Sequence, residues 1–241
     1  MKRLLALLLA VLMLGSLAAF ADEEDEMLEP GDIITFGNFE QDGDESNGDE
    51  PIEWIVLDVD AEDHSALVIS RYGLFPYGYT EEEAPVTWET SVIRALLNEY
   101  FLDEMFTEEE QECIFIVKNS NEDRVYDGYT VPGGNDTEDA LYLLSLDEVE
   151  EYFPEEASRV CEPTAFAVLQ GAWYVTENKV EERPFAFTED EIGYASWWLR
   201  TPGGTDQCAA AVYADGSIPE YGSFGPAGFR CVVRPAMWIE F

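Results

Sequence analysis

The amino-acid sequence predicts an ordered α+β protein: the order of its segments supports the fold class, and its hydrophobic and aromatic content supports the order. Segments with strand patterns come first, segments with helix patterns follow, and strand patterns return at the end, without the regular alternation of a parallel α/β sheet. Of the 241 residues, 46% are hydrophobic. The 14 Phe, 12 Tyr and 6 Trp residues are enough to fill a sizeable core, so the bulk of the chain is expected to be ordered.

Three strands are predicted in the first third of the chain. Residues Ile33 to Phe39 alternate well enough for a strand, and Ile52 to Val59 is a stronger one. Ala66 to Arg71 is predicted as a third strand after a turn. The polar stretch from Gln41 to Asp49 separates the first two strands. We therefore predict that this stretch is a long hairpin loop.

Four helices are predicted in the middle of the chain, mainly from signals at their ends. Thr90 or Ser91 caps the first helix, whose hydrophobic residues recur on one face. Capping boxes indicate the second and third helices. The fourth helix is delimited by a proline at its start and a glycine just after its end. The predicted segments are Val92 to Phe101, Thr107 to Ile114, Asp147 to Phe153 after the Ser145/Glu148 box, and Thr164 to Gln170 between Pro163 and Gly171.

The C-terminal third returns to short strands separated by glycine and proline turns. Asp215-Gly216 is typical of a β-hairpin turn. No internal repeat or linker interrupts the chain, so residues 30–241 are predicted to form a single domain. The predicted strands are Trp173 to Thr176, Ser196 to Arg200, Ala209 to Tyr213 and Phe229 to Arg234.

Residues 1–21 have the three regions of a secretory signal peptide. Two basic residues are followed by an apolar region, Leu4 to Leu14, which is shorter than the apolar segment that a transmembrane helix needs. Ala19-Phe20-Ala21 then fits a cleavage site, and residues 22–29 form an acidic tether without hydrophobic periodicity. We therefore expect a secreted, extracellular protein that does not insert into a membrane after the signal is cleaved.

The charge of the chain is strongly negative. There are 52 acidic and 12 basic residues, which give a net charge of −40. Nucleic acid and anionic membranes bind clustered Lys and Arg, so neither is expected as a partner. Two interpretations of the charge stay open: solubility through self-repulsion, and affinity for cations or for a basic partner.

Four cysteines permit three disulfide pairings in an exported protein. Cys208 and Cys231 lie at the starts of two strands that are predicted to be neighbours, so this pair is the preferred disulfide. Closing that loop would stabilise the fold by roughly 3 kcal/mol in the chain-entropy model. Cys113 and Cys161 then either pair with each other or remain buried free thiols.

The polar hairpin loop contains a candidate calcium site. The candidate ligands are Asp42, Asp44 and Ser46. They occupy alternating ligand positions, and Glu53 lies at the twelfth place of a calcium loop. Asn47 stands where such a loop needs glycine, so the alternative is a solvated hairpin tip without a metal. The acidic cluster from Asn135 to Asp139 has the same two interpretations.

Motifs along most of the chain carry a resemblance to a known family. They are Pro30 to Gly37, Glu50 to Leu57, Thr87 to Ser91, Leu143 to Leu146, Arg159 to Thr164, and the C-terminal block from Trp197 to Ala236. With them the chain resembles DUF6273, a family of secreted bacterial proteins of unknown function. The Trp197-Trp198, Asp215-Gly216 and Gly228-Phe229-Arg230-Cys231-Val232 elements are also similar to the C-type-lectin-like fold of formylglycine-generating enzymes. This resemblance implies a lectin-like architecture.

The candidate ligand-binding residues lie in the C-terminal part of the chain. They are Trp198, Arg200, Asp206, Tyr213, Tyr221 and Arg230. An exposed tryptophan beside tyrosines stacks well on a sugar, and arginines bind anions through paired N–H groups. The alternatives are that both neighbouring tryptophans belong to the core and that the arginines form ion pairs with Asp or Glu. The turn-rich segments Gly203 to Asp206 and Ile218 to Pro226 are predicted to form the contact face.

The chain has few residues suited to catalysis. His64 is the only histidine, which excludes a multi-histidine metal site and leaves one candidate for a Ser-His-Asp triad. Formylglycine-generating enzymes use two nearby cysteines in one C-terminal segment, whereas Cys208 and Cys231 are far apart in the sequence. A glycosidase needs two well-placed carboxylates, and spacing alone does not single out a pair among so many.

We therefore expect a secreted, non-catalytic module that binds a glycan or a cell-surface protein. No catalytic residue and no cofactor are assigned, and calcium is the candidate metal. Two alternatives stay open: a carboxylate-based extracellular hydrolase, and a structural interaction domain with no small ligand.

Overall fold

Short strands and a few short helices make up the part of the chain that the structure describes. This computed structural model describes residues 28–81, 84–176, 179–181, 193–219 and 231–241. The predicted signal peptide and most of the acidic tether lie outside these residues. The strands are β1 (Ile33–Phe39), β2 (Glu50–Asp60), β3 (Ser65–Ser70), β4 (Phe75–Pro76), β5 (Ile114–Phe115), β6 (Val117–Asn119), β7 (Arg124–Tyr126), β8 (Tyr129–Val131), β9 (Thr137–Asp139), β10 (Tyr174–Thr176), β11 (Lys179–Glu181), β12 (Tyr194–Ala195), β13 (Trp197–Pro202), β14 (Ala209–Val212), β15 (Val232–Val233) and β16 (Ala236–Glu240).

The larger sheet joins the two ends of the described chain. Its strand order is β1-β2-β3-β16-β5, and every neighbouring pair is antiparallel. The C-terminal strand β16, which was not predicted, lies between β3 and β5, with Ala236 opposite Ile69 and Glu240 opposite Ser65. Because every residue of β3 is buried, this sheet lies at the centre of the core.

A smaller sheet is built mainly from the C-terminal strands, in the order β14-β13-β15-β4. Trp197 of β13 lies opposite Val212 in an antiparallel pair and opposite Val232 in a parallel pair. The predicted strands at Ser196 to Arg200 and Ala209 to Tyr213 are confirmed within one or two residues. Antiparallel pairing therefore prevails in the protein, and the predicted mixture of strands and short helices is confirmed.

The helices are short, and the first one continues into a π-helical turn. They are α1 (Val92–Leu96), α2 (Leu102–Met105), α3 (Glu108–Gln111), α4 (Leu146–Tyr152), α5 (Glu156–Arg159) and α6 (Ala165–Leu169), and a π-helical turn at Leu97–Phe101 joins α1 to α2. The predicted helix end at Ile114 is wrong, because that residue already belongs to β5 and pairs with Ile239. Within the described residues, no helix has the length and hydrophobicity needed to cross a membrane.

The predicted helix caps are confirmed by hydrogen bonds. Ser91 caps α1, since its Oγ accepts the N–H of Arg94 at 3.1 Å. The capping boxes are Thr107 with Glu110 and Ser145 with Glu148. Gly171 follows α6 with a φ of +93°, a backbone conformation that suits glycine at a helix end.

Four tryptophans that are 0% exposed fill the core: Trp54, Trp88, Trp197 and Trp198. Each indole N–H donates to an acceptor within 2.9 Å; the acceptors are the carbonyls of Phe36, Arg159 and Tyr77 and the carboxylate of Asp139. A buried indole N–H without a partner would be costly, so these bonds fix the orientation of each ring.

Candidate functional site

A polar cleft of about 470 Å³ opens beside α1. The residues that line it, and that define the polar cleft, are Glu89, Arg94, Lys118, Asp136, Thr137 and Glu138. Two of these residues are basic and three are acidic. The polar cleft therefore presents hydrogen-bond donors and acceptors side by side.

Three elements position the side chains of the polar cleft. Strands β6 and β9 pair antiparallel, with Lys118 opposite Glu138. Helix α1 contributes Arg94, whose Nη1 donates to the carbonyl of Glu89 at 3.4 Å and whose Nη2 donates to the carbonyl of Glu138 at 3.3 Å. Arg94 therefore ties the turn before α1 to strand β9 across the cleft.

Asp139 lies beneath the polar cleft and is 1% exposed. Its Oδ1 accepts the Nε–H of Arg94 at 2.5 Å. Its Oδ2 accepts three more hydrogen bonds: from Trp88 Nε1 at 2.9 Å, Asn119 Nδ2 at 3.0 Å and Thr137 Oγ1 at 2.6 Å. A buried carboxylate with four donors is a fully satisfied polar network, so it holds the floor of the cleft rigid.

The carboxylates of Glu89 and Asp136 at the rim are each held by a partner. Glu89 accepts hydrogen bonds from the side-chain and backbone N–H groups of Asn135, and these bonds lower the pKa of Glu89. Lys118 Nζ lies 2.8 Å from Asp136 Oδ2, and this hydrogen-bonded ion pair lowers the pKa of Asp136. Both carboxylates are therefore charged at neutral pH.

The predicted contact segment Gly203 to Asp206 touches the chain that leads into the polar cleft. The carbonyl of Asp206 accepts the N–H of Val86 at 2.8 Å. Val86 precedes Glu89 by three residues, so this bond helps to fix the turn that carries Glu89. This segment therefore lies near the polar cleft although it does not line it.

Two of the predicted ligand-binding residues are buried, and the prediction is wrong for them. Trp198 is fully buried, and its Nε1 donates to the carbonyl of Tyr77 at 2.8 Å. Arg200 is 6% exposed, and its guanidinium forms an ion pair with Glu148. Alternate residues of β13 face opposite sides, but both sides are covered, so no side chain of this strand reaches a ligand in solution.

The other predicted ligand-binding residues do not form a site with one another in the described chain. Asp206 is exposed and Tyr213 is half-buried, and neither lines the polar cleft. Tyr221, Arg230 and most of the predicted contact segment Ile218 to Pro226 lie outside the described residues.

Sequence reasoning missed Glu89, Arg94 and Lys118, which resemble ordinary surface charges in the sequence. It did single out the acidic cluster from Asn135 to Asp139, which the structure places in β9 and at the cleft. No sequence pattern marked this strand, because Thr137, Glu138 and Asp139 are all polar, and the burial of Thr137 and Asp139 on one face is seen only in the structure.

The predicted Cys208–Cys231 disulfide is absent, because all four cysteines are free thiols. The two residues do not lie on neighbouring strands, since β13 separates β14 from β15. Cys208 lies opposite Gly203 beyond one end of β13, whereas Cys231 lies near Ser196 beyond the other end. Seven residues of strand span about 20 Å, far more than the roughly 4–7 Å between Cα atoms that a disulfide bridges.

We expect two thiols to react with a thiol reagent in the native protein and four to react in denaturant. Cys113 and Cys208 are half-buried, whereas Cys161 and Cys231 are buried. Burial raises the pKa of the Cys161 and Cys231 thiols, which makes them unreactive. Titration of the purified protein with Ellman's reagent, with and without guanidinium chloride, measures both counts. Fewer than four thiols in denaturant without reductant would show that a disulfide forms.

The hairpin loop brings together a different set of oxygens from the predicted calcium ligands. Ser46 Oγ donates to Asp44 Oδ1 at 2.6 Å, so these two side chains satisfy each other. Asp42 instead lies with Glu40 and Glu50, and each of the three carboxylates places an oxygen within 4.8 Å of the other two. Of the three predicted ligands, only Asp42 belongs to a group that the structure places at metal-binding distances.

Comparison with known proteins identifies a family but no characterised relative. No curated protein and no solved structure matches the chain. The family model described as "Domain of unknown function (DUF6273)" matches residues 63–241, a range that contains the whole polar cleft. The resemblance that the sequence motifs suggested from Pro30 onward is thus confirmed only for this range. The chain belongs to the DUF6273 family.

Proposed function

We propose that the protein is a secreted, non-catalytic module with a C-type-lectin-like fold that binds a glycan in the polar cleft. The pattern of a signal peptide in residues 1–21 supports export. The resemblance of the C-terminal block, together with the mainly antiparallel sheets, supports the lectin-like architecture. The site itself is argued from the polar cleft.

The observation that carries this proposal is the mixture of donors and acceptors over a rigid floor. Lys118 and Arg94 supply N–H donors, while Glu89, Asp136 and Glu138 supply carboxylate acceptors. A sugar hydroxyl donates one hydrogen bond and accepts others, so a glycan matches such a surface. Of the residues that line the cleft, the network around Asp139 holds Arg94 and Thr137 in place before binding, which reduces the entropy lost on binding.

Other ligand classes match the polar cleft less well. The net charge of −40 repels polyanions. A purely apolar ligand would remove water from the charged lining without replacing the hydrogen bonds that the water makes. A neutral, hydroxyl-rich ligand avoids both costs.

The hydrolase alternative is less well supported at this site. A glycosidase needs one carboxylic acid that stays protonated near neutral pH, which requires a raised pKa. The pKa values of Glu89 and Asp136 are instead lowered by Asn135 and Lys118. These carboxylates are suited to binding hydroxyl groups rather than to donating a proton.

A glycan array tests the proposal with two matched variants. Lys118→Ala removes a cleft lysine whose Nζ forms an exposed ion pair with Asp136. Arg71→Ala is the control, because it removes an exposed ion pair with Glu53, and neither of these residues lines the cleft. For the best array ligand, we expect Lys118→Ala to weaken binding by about tenfold, the effect of losing one charged hydrogen bond. Arg71→Ala should bind like the wild type.

Several outcomes would contradict the proposal. One is a glycan array that gives no specific signal either with calcium or with chelator. Another is a Lys118→Ala variant that binds as tightly as the wild type. Capture of a purified cell-surface protein in the absence of any glycan signal would favour an interaction domain instead. Hydrolysis of an array ligand would favour the enzyme alternative.

A further inference from the structure

The base of the first hairpin gathers three carboxylates that the polar cleft does not include. Glu40 directly follows β1, Glu50 is the first residue of β2, and Asp42 lies in the loop between the strands. We call these three residues the carboxylate cluster. Each of them places one oxygen within 4.8 Å of the other two. None of the ion pairs between described residues includes a member of the cluster.

A second observation distinguishes the carboxylate cluster from an ordinary acidic patch. Glu40 is 8% exposed, and its Oε2 is buried without a hydrogen-bond partner. Native proteins rarely leave a buried carboxylate oxygen unsatisfied, because its lost hydration is not replaced. The neighbouring charges of Asp42 and Glu50 make this oxygen more costly still, since like charges repel at short distance. A bound cation would satisfy the oxygen and offset the repulsion.

Backbone N–H groups of the loop hold the carboxylates in place. Gly43 N donates to Glu40 Oε1 at 2.6 Å, and Gln41 N donates to Glu50 Oε2 at 2.7 Å. Asp42 Oδ1 accepts the N–H of Asp44 at 2.7 Å. Asp42 Oδ2 also accepts the Nδ2–H of Asn47 at 2.8 Å, so each carboxylate is oriented by at least one hydrogen bond. The cluster is therefore arranged before any ligand arrives.

The loop is also anchored to the rest of the molecule. The carbonyl of Gln41 accepts the N–H of Phe166 in α6 at 2.9 Å. Gly43 has a φ of +84° and packs so closely on Leu169 that a Cβ would lie 2.3 Å from that side chain. The carboxylate cluster is therefore a fixed part of the fold rather than the tip of a free loop.

We propose that Glu40, Asp42 and Glu50 bind a divalent cation of the calcium class. Carboxylate oxygens are the ligands that hard cations prefer, and calcium accepts irregular arrangements of six to eight oxygens, whereas magnesium demands a near-ideal octahedron. The three carboxylates come from the end of one strand, a loop and the start of the next strand, so their oxygens form an irregular arrangement. The proposal does not depend on glycan binding, because no member of the cluster lines the polar cleft.

Calorimetric titration of the chelator-treated protein with calcium chloride tests the site at physiological ionic strength, which screens the diffuse attraction of so acidic a chain. We expect one saturable site per chain, with calcium bound more tightly than magnesium. Glu40→Gln removes one charge from the ligand set and should weaken calcium binding by about tenfold or more, at least as much as the loss of an outer-shell partner. The matched control is Glu45→Gln, which neutralises an exposed acid in the same loop and should bind like the wild type. Calcium should raise the thermal midpoint of the wild type and of Glu45→Gln but not of Glu40→Gln.

Three results would overturn the proposal. The first is a titration without a saturable site, the second is an equal loss of calcium affinity in Glu40→Gln and Glu45→Gln, and the third is tighter binding of magnesium than of calcium. The wild type could bind no calcium while Glu40→Gln is more stable than the wild type in chelator. That result would show that a proton shared among the three carboxylates, and not a cation, neutralises Glu40. If circular dichroism shows that Glu40→Gln is unfolded, Asp42→Asn replaces it, since the amide oxygen can keep the hydrogen bond from Asp44. The same loss of affinity is expected for that variant.

Discussion

Replacing Asp139 with alanine is expected to lower the free energy of unfolding by about 3–5 kcal/mol. The carboxylate is fully enclosed and accepts four hydrogen bonds, including those from Arg94 and Trp88. Alanine would leave the Nε–H of Arg94 and the buried indole N–H of Trp88 without their acceptor. The loss is large because the indole N–H stays buried without an acceptor and the half-buried Arg94 loses its charged partner.

Urea unfolding followed by tryptophan fluorescence measures this loss. Asp147→Ala is the matched control, because Asp147 also pairs with an arginine, Arg124, but its side chain is 69% exposed. An exposed pair contributes about 1 kcal/mol or less, so this control should remain close to the wild type. If Asp139→Ala also lost less than about 1 kcal/mol, the network could not be the rigid floor of the polar cleft.

Trp198→Ala is expected to destabilise the protein by about 3–5 kcal/mol. The ring is fully buried in the smaller sheet, donates its N–H to the carbonyl of Tyr77, and packs edge-on against Tyr79 with ring centroids 5.4 Å apart. Alanine leaves a cavity that the surrounding strands cannot fill. The lost free energy of unfolding has two parts: the transfer free energy of the buried ring and the cost of the cavity that remains.

Two companion variants separate these contributions. Trp198→Phe keeps most of the ring but leaves the Tyr77 carbonyl without its donor, so it should cost about 1–3 kcal/mol. Tyr129→Ala removes an aromatic ring that is 76% exposed and should change stability by less than about 0.5 kcal/mol. A Trp198→Ala protein of wild-type stability that had lost its glycan binding would instead support the ligand role predicted from the sequence.

The features predicted correctly from the sequence have local causes. The cap of α1 at Ser91 and the capping boxes at Thr107 and Ser145 depend on residues three positions apart, so the sequence contains the whole interaction. Strand patterns such as that of β2 depend on a period of two, which is equally local. These elements therefore appear in the structure near their predicted positions.

The features that were missed depend on pairing between distant parts of the chain. Strand β16 acquires its place by pairing with β3, more than 150 residues earlier, and nothing within the short segment Ala236–Glu240 indicates that partner. The disulfide prediction failed for the same reason. Cys208 and Cys231 precede strands that are consecutive in the described sequence, yet β13 lies between those strands in the sheet.

The candidate site was hard to predict because it combines ordinary residues from three elements. Lys118 and Glu138 become neighbours only through the pairing of β6 with β9, and Arg94 joins them from α1 through Asp139. The sequence instead drew attention to the tryptophan pair in β13, whose side chains serve the core. The acidic cluster from Asn135 to Asp139 was the part of the cleft region that the sequence singled out, and it did so as a candidate calcium site.

Nuclear magnetic resonance of the indole N–H groups tests the central claim most directly. Trp88 Nε1 donates to the same carboxylate as Thr137 and Arg94, so its resonance reports on the floor of the polar cleft. We predict that titration with the best array glycan shifts the Trp88 indole signal in a saturable way and leaves the Trp54 and Trp197 signals in place. A saturable ligand that moves Trp54 or Trp197 while Trp88 stays unchanged would contradict binding in the cleft, as would the failure of every array glycan to shift any indole signal.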